Sequence, residues 1–75
     1  MSRISVERVV PRPPAIERIK VKCAFRPDDV MAIYHSADED MIMFNSREGS
    51  RTCIIGVARE DIQALAEALK EMADQ

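Results

Sequence analysis

The sequence predicts an α+β fold: a four-stranded antiparallel β-meander followed by one C-terminal amphipathic helix, with an extended N-terminal arm. Three observations carry this expectation. Around residues 18–26, apolar Ile19, Val21, Cys23 and Phe25 alternate with cationic Arg18, Lys20, Lys22 and Arg26, the period-two pattern of a half-covered strand. Three more short apolar runs follow, separated by turn-forming residues. Near residue 60 the period changes, and Ile62, Leu65, Ala66, Leu69, Met72 and Ala73 recur at the three- and four-residue spacing of a helix.

Residues 4–10 have the composition of a short strand or a loose arm, and Pro11-Arg12-Pro13-Pro14 closes that stretch. Each proline fixes φ and restricts the residue before it, so the segment is read as an extended spacer. Residues 1–14 are therefore assigned to the arm and 15–75 to a single small domain.

The first strand is expected to end at Arg26-Pro27-Asp28-Asp29. Val30–His35 and Met41–Asn45 form the second and third strands, joined through Ser36–Asp40. Ser46–Ser50 supplies a hairpin loop in which Gly49 can take positive φ, and Arg51–Val57 forms the fourth strand. In the helix, Glu60, Gln63, Glu67, Lys70, Glu71 and Asp74 occupy the side opposite the apolar stripe. The helix is expected to pack on the sheet.

The four strands and single helix resemble, in layout, the small coactivators that bind single-stranded DNA. The resemblance covers the C-terminal three-quarters of the chain and includes no motif, so it carries over no residue and no function.

Size limits what such a chain can do alone. A domain of about 60 residues buries only about 60% of the surface its unfolded chain exposes, and domains this small are often supplemented by a disulfide, a metal or a second subunit. The second and third strands are apolar on both faces, yet one helix can cover only one face of a sheet. A second copy is the expected cover, with Met31, Ile33, Met41 and Met43 as candidate dimer or partner surface. The alternative cover is the arm, folded back through Ile4, Val6, Val9 and Val10. Met31, Met41, Met43 and Met72 are otherwise read as core filler.

Net charge is −2, but residues 1–26 hold seven Lys/Arg against two acids, while residues 27–75 hold four against eleven. Arg12, Arg18, Lys20, Lys22 and Arg26 are candidate contacts for nucleic acid or another anionic partner, with Arg3 and Arg8 placed on the arm. Against a nucleic-acid role, the aromatics are few, and Phe25 and Phe44 are both expected to be buried. The acids of the second half, among them Asp38, Glu39, Asp40 and Glu48, could instead dock on a basic protein.

No catalytic constellation is legible. His35 is the only histidine, and Cys23 and Cys53 are read as small buried hydrophobes in a cytoplasmic, reducing setting. No metal-ligand spacing and no glycine-rich phosphate loop occurs, so no metal, cofactor or enzymatic activity is expected. No apolar run approaches the roughly 20 residues that span a bilayer. The sequence therefore points to a non-catalytic binding or regulatory module, homodimeric and acting by stoichiometric protein–protein interaction, as phage or mobile-element accessory and inhibitor proteins do. A nucleic-acid-binding module is the alternative.

Overall fold

The structure is a computed structural model that describes residues 3–9, 15–26, 28–37 and 40–75. Among these, five strands form one open antiparallel sheet in the order of the chain: β1 (Ile4–Val9), β2 (Ala15–Lys22), β3 (Val30–His35), β4 (Met41–Glu48) and β5 (Arg51–Ala58). A 3-10 turn over Arg59–Asp61 leads into helix α1 (Ile62–Ala73). The α+β class and the meander agree with the sequence pattern, but the sheet has five strands rather than four.

The additional strand is β1, which pairs along β2 from Ile4↔Val21 to Val9↔Ala15, with an irregularity between Glu7 and Arg8. Ile4–Val9 therefore extends the sheet sideways instead of folding over it, and Arg8 is a strand residue rather than part of a tail. Val10 and Pro11–Pro14 lie outside the described residues.

The β4–β5 turn is tighter than the sequence suggests, whereas β2 ends at Lys22, four residues before the expected break at Arg26. Glu48 pairs with Arg51, leaving Gly49-Ser50 as a two-residue connection. Gly49 has φ 59° and no other described residue has positive φ, the signature of a type II′ hairpin, whose first central position favours glycine. The β2–β3 turn is fastened by Cys23 N–H donating to the Asp29 carbonyl and Asp29 N–H to the Arg26 carbonyl, each at 2.9 Å. The Asp29 carboxylate accepts from Gly49 N–H at 3.0 Å, so the two turns at this end of the sheet are tied together.

The helix begins and ends where its periodicity predicts, but it does not seal either face of the sheet. Ile62 and Leu65 are half-buried, whereas Leu69 is 54% and Met72 66% exposed. No described residue is fully buried. The expectation of a helix packed on its own sheet is corrected accordingly: burial at the helix start is partial, and the C-terminal half of its apolar stripe faces solvent. The radius of gyration is 13.5 Å, against about 11.4 Å for a compact chain of this length.

Candidate interaction site

Because paired residues in a sheet share a face, the register assigns every strand side chain. One face is apolar from edge to edge. Its central row runs Val6–Ile19–Ile33–Phe44–Ile55; beside it stand Ile4, Val21 and Met31, continued by Ser46 and Cys53, on one flank, and His35, Ile42 and Val57 on the other. Between Ile4, Val21, Cys23 and Met31 this face opens into a groove of about 760 Å³.

The four candidate dimer residues do not form one surface. Met31 and Ile33 lie on the apolar face, while Met41 and Met43 pair with Ala58 and Gly56 and lie on the opposite one. Gly56 matters there, since a Cβ at that position would overlap Met41 Sδ and stand 3.5 Å from Met43 Sδ. Its bare backbone lets both methionines lie across β5.

The opposite face carries the cations. Arg18, Lys20 and Lys22 project from β2 on this side and are exposed, as the alternation predicts. Lys20 Nζ is 3.4 Å from Glu7 Oε1 on β1, and the Arg18 guanidinium lies 5.7 Å from the centre of the Tyr34 ring, within cation–π range. Arg26 sits beyond the strand end, where it pairs with Glu48 at 3.2 Å and so leaves the stripe. Arg12 lies outside the described residues. Sequence reasoning missed Arg47, which shares a row with Lys22 through Val30. Nothing local to Arg47 reveals this, because the row exists only once three strands are in register.

Phe25, expected to be buried, is 92% exposed. Cys23 Sγ accepts the backbone N–H groups of both Phe25 and Arg26 at 3.4 Å, which turns the chain and takes Phe25 out of the strand alternation. The expected burial of the cysteines fails as well, since Cys23 is half-buried and Cys53 exposed, both as free thiols. Cys23 directly follows β2 and Cys53 lies on β5, roughly 14 Å apart across three strand spacings, too far for a disulfide between them.

His35, Arg59 and Asp40 form a cluster at the start of the 3-10 turn. Arg59 Nε lies 2.6 Å from Asp40 Oδ1, Arg59 N–H donates to the Asp40 carbonyl at 3.1 Å, and an Arg59 guanidinium nitrogen is 3.3 Å from His35 Nδ1. A guanidinium can only donate, so in this contact His35 Nδ1 is the acceptor. The histidine thus serves to orient Arg59. The register sets it on a different row from either cysteine, about 13 Å or more along the strands, so no thiol meets this base.

Among the described residues no group of three or more His, Cys, Asp or Glu side chains converges on a possible metal position. No helix among them is long and apolar enough to cross a membrane. Compared with family models, curated proteins and solved structures, the chain matches none.

Proposed function

We propose that this chain is a small non-catalytic binding and regulatory module that assembles as a homodimer and acts by stoichiometric protein–protein interaction. The observation that supports it is an apolar face running across all five strands of a chain in which no described residue is fully buried. Monomers rarely expose contiguous apolar patches beyond a few hundred Å². The accessible surface is 6567 Å², whereas a compact monomer of 8.5 kDa would expose about 4,700 Å². The chain thus exposes about 1,900 Å² more than a compact monomer of its mass, which is more than the ~800 Å² each partner contributes to a standard interface.

Two-fold pairing is the simplest closure, because one patch then covers its own copy. Sedimentation equilibrium over a dilution series tests the reading. Two chains per particle at micromolar concentration are expected, and a single chain at every concentration would contradict it.

A second reading follows from the opposite face. Arg18, Lys20, Lys22 and Arg47 stand on the side away from the apolar surface, so a dimer closed through that surface would present two cationic faces outward to a nucleic acid. Affinity should then fall log-linearly with salt, and Lys20→Ala and Lys22→Ala should each lower the slope by about 1. No binding to single- or double-stranded nucleic acid at about 50 mM salt would rule this reading out.

A further inference from the structure

We propose that α1 of each chain lies across the apolar sheet face of a second copy, so that two chains exchange helices and complete each other's core. The proposal rests on the homodimer reading above and specifies what covers what.

The chain carries two apolar surfaces that need cover, and it does not bring them together. One is the sheet face, whose outer residue Ile55 is 59% exposed; the other is the helix stripe ending in Leu69 and Met72. Their dimensions match. Twelve residues of helix extend about 18 Å, and five strands span about 19 Å from first to last.

The simpler pairings leave one surface wet. Face-to-face sheets cover the strands but leave the helix stripes exposed. Helix against helix covers the stripes and leaves the sheets. Edge-to-edge pairing of β5 with β5 covers neither. Reciprocal docking of helix on sheet covers both within one two-fold interface, and the surface in excess of a compact monomer is larger than the ~800 Å² per partner that a standard interface buries.

The point where the helix leaves the sheet supports the same arrangement. Arg59 is held by Asp40 and by His35 at the first residue of the 3-10 turn, so the helix departs from a fixed base. The acidic outer side of the helix, with Glu67, Glu71 and Asp74, remains in solvent when the stripe is docked.

Crosslinking tests the exchange. In a Cys23→Ser background, Met72→Cys places a thiol on the stripe and native Cys53 supplies one on the apolar face. Ala66→Cys is the second variant, a small-for-small change at mid-helix in case the first fails to fold. A flexible bismaleimide able to cross two strands is applied to a mixture of isotope-labelled and unlabelled chains, and the linked peptides are weighed.

The expected product is a covalent dimer linking the introduced thiol of one isotope to Cys53 of the other. Chains with Cys53 as their only thiol should remain unlinked. Links only between thiols of the same isotope would place the helix on its own sheet and overturn the exchange. A dimeric particle with no helix-to-Cys53 link in either variant, or with links through Cys53 alone, would overturn the exchange while leaving the homodimer standing. A monomeric particle would overturn both.

Discussion

Leu69→Ala should weaken self-association about 80-fold without lowering helix content. Leu69 is 54% exposed in the single chain, so about half of its surface remains for a partner to cover. Truncation to alanine removes three carbons, worth about 0.8 kcal/mol each when fully buried, and 54% of that is about 1.3 kcal/mol. A two-fold interface counts the loss twice, giving about 2.6 kcal/mol, or about 80-fold in the dissociation constant. Alanine is the better helix former, so reduced helicity cannot be the cause. The assay is sedimentation velocity over a concentration series, with Glu67→Gln on the opposite side of the helix as a control expected to stay within about twofold. An unchanged constant for Leu69→Ala would refute the claim that the stripe is buried between chains. Lower urea stability with no change in mass would mean that the helix docks at home.

Three further substitutions probe the sheet. Gly49→Ala puts a Cβ at φ 59° and should cost about 1–2 kcal/mol in urea unfolding; a neutral or stabilising result would contradict the type II′ turn. Gly56→Ala drives a Cβ into Met41 Sδ and should cost about 1 kcal/mol. In a Met41→Ala background that penalty should vanish, and a persisting cost would show that Met41 does not cross β5. Asp29→Ala removes the acceptor of Gly49 N–H and should cost about 1 kcal/mol, with faster amide exchange at Gly49; unchanged exchange there would mean the two turns are not coupled.

What sequence could reveal depended on how local each signal was. Helix α1 and the turn at Gly49 were legible because their causes lie within a few residues: a 3.6-residue apolar period, and a glycine between two apolar runs. The β2 cations were legible because alternation alone sets their side of the sheet. Strand β1 was ambiguous because a polar, two-sided segment declares itself only by pairing, and its partner Val21 lies seventeen positions beyond Ile4. Sequence alone does not separate Met41 and Met43 from Met31 and Ile33, because runs that are apolar on both sides do not reveal which side is which. One residue of register exchanges the two faces. The exposure of Phe25 is not legible because its alternation continues past the hydrogen-bonded end of the strand, where Cys23 Sγ turns the chain. An amphipathic stripe shows that a helix needs cover; whether its own chain supplies that cover is a tertiary fact.

The central claim, that one chain holds half a core and a second copy completes it, is tested most directly by urea unfolding at two concentrations a hundredfold apart. If folding and pairing are one process, stability rises with concentration by about 2.7 kcal/mol over that range. The midpoint should then move upward by about 1 to 3 M. A midpoint that stays fixed across the hundredfold range would show that the chain folds alone, and the account would be wrong.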